Sequence, residues 1–144
     1  MHRIDAKGRR VLIIPDTHAP FEHPNAYTFL AAVKQKYLTD DSITLHLGDE
    51  IDGHSISFHD NDPDLPFSPS SELEAAIESI HRLQEIFPQM YLCESNHGSL
   101  VYRRQKAAGL PRHVFKSYQE ILGTPEWQWH EDYILQTKMG DIYI

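Results

Sequence analysis

The sequence predicts an α/β domain built on a parallel sheet, and three observations carry that expectation. Three short apolar runs, at 11–14, 42–47 and 90–93, each stop at polar residues. Amphipathic segments with apolar spacings of three and four lie between or beyond them, as in chains whose strands alternate with crossover helices. The composition is that of one globular domain, 40% hydrophobic and 24% charged over 144 residues.

The elements follow in order. Arg3, Lys7, Arg9 and Arg10 mark a short basic leader. Val11-Leu12-Ile13-Ile14 is a continuous apolar run closed by Pro15-Asp16, the pattern of a buried strand. Over 24–37 the spacing of Tyr27, Leu30, Val33 and Tyr37 predicts an amphipathic helix with Pro24 in its first turn. Thr39-Asp40-Asp41 turns the chain into a second strand over 42–47, ended by Gly48-Asp49. Residues 60–70 hold three prolines, three aspartates and an asparagine without periodicity, so they form a loop. Ser71 and Glu74 make a capping-box pattern for a helix that carries Leu73, Ile77, Ile80, Leu83 and Phe87 on one face. Residues 90–93 form the third strand. A helix from Ser99 to about Ala108 is stopped by Gly109, and another runs from Pro111 to about Leu122. Segments 127–137 and 141–144 read as two strands joined by a turn at Lys138-Met139-Gly140.

Composition also excludes function classes. Twenty-one acidic against 13 basic residues give a formal charge of −8, which argues against a broad basic binding surface and leaves nucleic acid only a local patch or a metal. A single cysteine, Cys93, makes neither an internal disulfide nor a thiolate cluster. No apolar run approaches the roughly 20 residues that span a bilayer, and the opening Met-His-Arg-Ile-Asp lacks a signal core, so no membrane partner and a cytoplasmic location are expected. Ten histidines stand out, since histidine is the commonest metal ligand and acts as acid or base near pH 7.

In open parallel sheets ligands bind beyond the carboxyl ends of the strands. Each predicted strand ends there in hard or borderline metal ligands: Asp16 and His18, then Asp49 and Asp52, then Asn96 and His97. In extended backbone Asp16 and His18 project to one side and Thr17 to the other. Gly48 suits a tight turn that brings backbone close to a cation. Oxygen and nitrogen donors without thiolate favour divalent Mn, Fe, Zn or Mg. Each piece alone has a plain structural explanation, because an aspartate after a strand commonly closes an Asx turn. Their joint occurrence in this order is the signal.

These residues resemble the motifs of the calcineurin-like metallophosphoesterases. Asp16-Thr17-His18 matches Asp-x-His, Gly48-Asp49-Glu50-Ile51-Asp52 matches Gly-Asp-x-x-Asp, and Ser95-Asn96-His97-Gly98 matches Gly-Asn-His-Asp/Glu in part. The resemblance implies a two-sheet sandwich flanked by helices and two divalent metal ions. It implies that Asp16 and His18 hold the first ion, that Asp49 bridges both, and that Asn96 holds the second. His97 would act as general acid or contact the phosphate, and Asp52 would orient the ligands. The implied activity is metal-dependent hydrolysis of a phosphomonoester or phosphodiester, with nucleotides and nucleic acid among the candidate substrates.

Two departures bear on this. Ser95 and Gly98 stand where the family has glycine and an acid, and the family's downstream histidine motifs are absent. The chain thus resembles an N-terminal part of such a domain, truncated at its C-terminus. The alternative is a catalytically degenerate module that binds a metal or a protein partner. His54 and His59 are the nearest substitutes for the absent ligands, though a polar surface loop accounts for both. His46 reads as a packed or edge histidine, His81 and His113 as solvated, and His130 has no assigned role. Sheet partners missing from the last strand would leave Trp127, Trp129, Tyr133 and Ile134 to be covered by a second copy or by the chain's own core, so a homo-oligomer through the C-terminal edge is expected.

Overall fold

The computed structural model describes residues 1–58 and 64–144. Its strands are β1 (His2–Asp5), β2 (Val11–Ile14), β3 (Ile43–His46), β4 (Met90–Cys93), β5 (Trp127–His130), β6 (Tyr133–Thr137) and β7 (Gly140–Tyr143). The helices are α1 (Ala26–Tyr37), α2 (Pro69–Ile86), α3 (Leu100–Ala107) and α4 (Tyr118–Leu122). Strands β2-β3-β4-β5 form an all-parallel sheet in that order, and β1-β6-β7 form a second, mixed sheet.

Side-chain alternation along the strands explains why two layers meet. On β4, Met90 and Leu92 join Ile14, Leu83, Phe87 and Trp127 in a core beneath α1, α2 and α4. The alternate residue Cys93 joins Ile43 and Leu45 of β3, Ile4 of β1, and Tyr133 and Leu135 of β6 in a second core between the sheets. A strand with period two that is apolar on both faces is the signature of a sheet covered on both sides. The result is an α/β domain of two packed sheets with helices on one outer face. Among the described residues, no helix is long and apolar enough to cross a membrane.

Several sequence expectations need correction. The basic leader is strand β1, paired in parallel with β6 from His2↔Tyr133 to Asp5↔Gln136. Strand β2 is an edge strand and not wholly buried, for Ile13 is 44% exposed. Helix α2 begins at Pro69: Ser68 is its N-cap and exchanges the capping-box bonds with Ser71, so the Ser71/Glu74 box lies one turn too late. The helix expected over 111–122 breaks into a 3₁₀ turn at Arg112–Val114 and the short α4, because Ser117 caps α4 through a box with Glu120. The strand expected over 127–137 splits at Glu131-Asp132, and its halves enter different sheets.

Trp127, Tyr133 and Ile134 are fully buried in the chain's own core, so they require no second copy. Strand β7 forms the sheet edge and exposes Ile142 and Tyr143. His81 is not simply solvated: its Nε2 bonds the Leu122 carbonyl at 2.9 Å and ties α2 to the end of α4. His130 stacks on His2 across the two sheets, ring centroids 4.4 Å apart.

Candidate metal centre

The carboxyl ends of β2, β3 and β4 converge on one side of the parallel sheet, and the loops that leave them are joined by backbone bonds. Thr17 N and His18 N both donate to the Asp49 carbonyl, at 3.2 and 2.9 Å. Ala19 N donates to Glu50 O and Asp52 N donates to Ala19 O, both at 2.9 Å, which makes Ala19 and Ile51 a parallel bridge beyond the sheet proper. These bonds hold the loop of Asp16 and His18 against the loop of Asp49 and Asp52.

His18 and Asp49 both have φ of 52°, the left-handed region that side chains other than glycine seldom occupy. Among the described residues they are the two non-glycine positions with positive φ. Such conformations persist where the surroundings over-determine them, and they cluster at functional sites. His18 is therefore not in extended backbone. Asp16 and His18 meet because the chain turns between them, and Thr17 points to the buried His46 instead.

The hydrogen bonds fix both imidazoles. His18 Nδ1 lies 2.8 Å from Asp52 Oδ1, an atom that only accepts, so Nδ1 carries a proton and Nε2 is the ring nitrogen turned toward Asp16. His97 Nδ1 likewise donates to the Asp52 carbonyl oxygen. The two rings meet edge to face at 4.8 Å. Among the described residues, His18, Asp52 and His97 form a set whose ligand atoms all lie within 4.8 Å of one another. Asp16 Oδ2 stands 3.5 Å from His18 Nε2. Asp49 Oδ1 accepts the His97 backbone N–H at 3.3 Å. Asn96 is exposed, and its carbonyl accepts from Ser99 Oγ and Arg103 Nη2.

Donor chemistry fits a divalent cation. Two ligand atoms each about 2.1 Å from a tetrahedral ion stand about 3.4 Å apart, close to the Asp16–His18 separation. The carboxylate of Asp52 behind His18 is the usual means of fixing a metal-binding imidazole.

The departures in the third motif compensate each other. Ser95 Oγ accepts the Gly98 N–H at 2.9 Å and so closes the Asn96-His97 turn. A Cβ at position 98 would come within 3.2 Å of that oxygen, so serine at 95 suits glycine at 98. Gly48 is required for a different reason. Its φ is +99°, and a Cβ there would meet Ser95 Cβ at 2.7 Å and the Cys93 carbonyl at 2.9 Å.

Two buried groups lie behind the loops: His46, packed as its place in a strand led one to expect, and Glu50, which sequence reasoning missed. His46 is fully buried; Gly48 N donates to its Nδ1, and its Nε2 lies 3.2 Å from Thr17 Oγ1, which donates to Glu50 O. Burial pushes its pKa down to about 4, against smaller opposing effects of Asp16 and Asp49. Glu50 is 1% exposed; Oε1 accepts from Trp129 Nε1 at 3.3 Å and Oε2 has no partner. Burial pushes its pKa up to about 7. The apolar neighbours Leu45 and Leu47 signal the burial of His46, whereas Glu50, between Asp49 and Ile51, carries no such signal.

His54 opens a 3₁₀ turn whose backbone is held by the buried Glu72, with His54 N donating to Glu72 Oε1 at 2.6 Å and Ser55 N to Oε2 at 2.7 Å. It is not in the set around Asp52. His59 lies outside the described residues. Comparison with family models, curated proteins and solved structures found no match.

Proposed function

We propose that the chain is a metal-dependent phosphoesterase of the calcineurin-like type, with the corresponding sandwich fold, acting in the cytoplasm on a phosphomonoester or phosphodiester. The observation that carries the reading is the pair His18 Nε2 and Asp16 Oδ2, 3.5 Å apart, with the imidazole held from behind by Asp52. Asp16, His18 and Asp49 would hold one ion; Asp49 and Asn96 would contribute to a second. Divalent ions, when bound, supply Lewis acidity that neutralises phosphoryl charge and makes water acidic enough to attack near neutral pH.

The chain's own residues do the rest. Asp52 presents His18 in one tautomer and, through its carbonyl, does the same for His97. His97 Nε2 is then the atom that meets the substrate. As an imidazolium it protonates the departing oxygen, a contribution typically worth about 10²–10⁴ in rate.

The test pairs elemental analysis with manganese-stimulated hydrolysis of bis-p-nitrophenyl phosphate. Asp16→Ala and Asp49→Asn should each abolish turnover and reduce bound metal. Undiminished turnover in Asp16→Ala would overturn the assignment. The small number of ligands for a second ion supports a second reading, a non-catalytic module with one structural ion; Asp16→Ala would then lower the melting temperature in a protein that has no turnover to lose.

A further inference from the structure

Glu50 carries a bonding capacity that the metal loops leave unused. Its side chain is 1% exposed, and while Oε1 accepts from Trp129 Nε1, Oε2 has no partner among the described residues. Tyr118 Oη is a second buried atom without one among them. Each such atom costs free energy, so two in one place ask for a group that supplies the missing bonds. Glu50 and Tyr118 line the same cleft, of about 460 Å³. They are within electrostatic reach of each other, because the Tyr118 hydroxyl is pushed well above its ordinary pKa first by burial and next by the charge of Glu50.

The rest of the lining is aromatic and, on balance, acidic. Trp129 meets Tyr118 edge to face at 5.7 Å, and the exposed rings of Tyr102 and Phe115 stand across the same cleft. Glu94 and Glu131 are exposed at its mouth, as are Arg103 and Lys116. Arg103 is already engaged: Nη2 donates to Asn96 O at 2.8 Å, and the guanidinium lies 5.5 Å from the Phe58 ring centroid. Of these five acidic and basic residues the one that is buried is Glu50, so the deep end of the cleft favours a cation over an anion. Gly98 keeps that end open, since a Cβ there would already touch Glu50 Oε1 at 3.7 Å.

A carboxylate oxygen accepts, and so does a phenol oxygen, which makes the missing group an N–H donor. A primary ammonium offers three donors on one atom, forms the stronger, charge-assisted kind of hydrogen bond with a carboxylate, and is attracted to aromatic faces. Clefts of this size that are mostly apolar with a few convergent polar groups suit small organic molecules. We infer that the cleft binds a primary ammonium group carried on an apolar body, with the ammonium between Glu50 Oε2 and Tyr118 Oη and the body against Trp129, Tyr102 and Phe115. The site adjoins the third motif through Ser95 and Gly98 but does not rest on the phosphoesterase reading.

The test is isothermal titration calorimetry with 2-phenylethylammonium in EDTA at about pH 8. Saturable binding is expected, with Kd on the order of 1 mM or below. The N,N,N-trimethyl derivative keeps the charge and the ring but has no N–H, and it should bind at least about tenfold more weakly. The anion 3-phenylpropionate should not bind. Glu50→Gln should weaken 2-phenylethylammonium binding about tenfold or more, and Tyr118→Phe about threefold to tenfold. Glu126→Gln, exposed and outside the cleft, should leave it unchanged. No saturable binding, binding of the trimethyl compound or of 3-phenylpropionate as tight as that of the primary ammonium, or parent-like binding by a folded Glu50→Gln would each overturn the inference. The ligand series is measured on the parent chain, so it decides the matter even where Glu50→Gln fails to fold.

Discussion

The pH dependence of stability should contain two buried contributions of opposite sign, and a pair of variants can separate them. His46 titrates near 4 in the folded chain and near 6.5 unfolded. Below pH 6.5 the unfolded chain takes up a proton that the folded one refuses, so stability falls with falling pH, by about 3 kcal/mol once pH 4 is reached. Glu50 titrates near 7 folded and near 4.5 unfolded. Between those values the folded chain keeps a proton that the unfolded chain has released, so its contribution is full below pH 4.5 and falls by about 3 kcal/mol as pH rises to 7. The two slopes nearly cancel between pH 4.5 and 6.5. Urea unfolding in EDTA, followed by the fluorescence of the fully buried Trp127, measures this for the parent, Glu50→Gln and His46→Asn. The stability difference between parent and Glu50→Gln should change by about 3 kcal/mol from pH 4.5 to 7, and the difference between parent and His46→Asn by a similar amount with the opposite sign. A difference curve that stays flat would refute the claim that Glu50 is carried inside the fold as a neutral acid.

Other predictions concern the loops and caps. Asp52→Ala removes the acceptor of His18 Nδ1–H and should weaken manganese binding about 10- to 100-fold by calorimetry, with little change in fold by circular dichroism. Gly48→Ala must strain a left-handed backbone and displace Ser95, so chemical denaturation should show a loss of at least about 2 kcal/mol. Ser68→Ala deletes the acceptor of the Ser71 N–H at the start of α2 and should cost about 1 kcal/mol in the same assay.

The parts of the molecule that were legible in the sequence are those where one residue type answers one physical demand. Runs such as Met90-Tyr91-Leu92-Cys93 have to be strands buried on both faces, and the polar residues that end them fall together by the geometry of parallel sheets. Strand β1 was hidden because His2-Arg3-Ile4-Asp5 buries a single side chain, Ile4, and shows no apolar run. The start of α4 was marked by Ser117 and Glu120, a capping box masked by the permissive Pro111 upstream. The left-handed turns at His18 and Asp49 had no signal in composition, because neither is a glycine. They are imposed by the bonds from Thr17 and His18 to the Asp49 carbonyl, which exist only once both loops are in place.

The pairing of β1 with β6 has a consequence for the order of assembly. His2 meets Tyr133, so this contact spans all the elements from β2 to β5. Synthesis delivers His2 before those elements and Tyr133 after them. The nascent chain therefore carries β1 unpaired until β6 is made, while β2, β3 and β4 can already dock on α1 and α2. Loop-closure entropy makes such distant parallel pairing slow relative to local contacts. The layer that bears the Asp16 and Asp49 loops is thus the earlier one to form, and the second sheet seals it only when the ribosome has released residues 133–137.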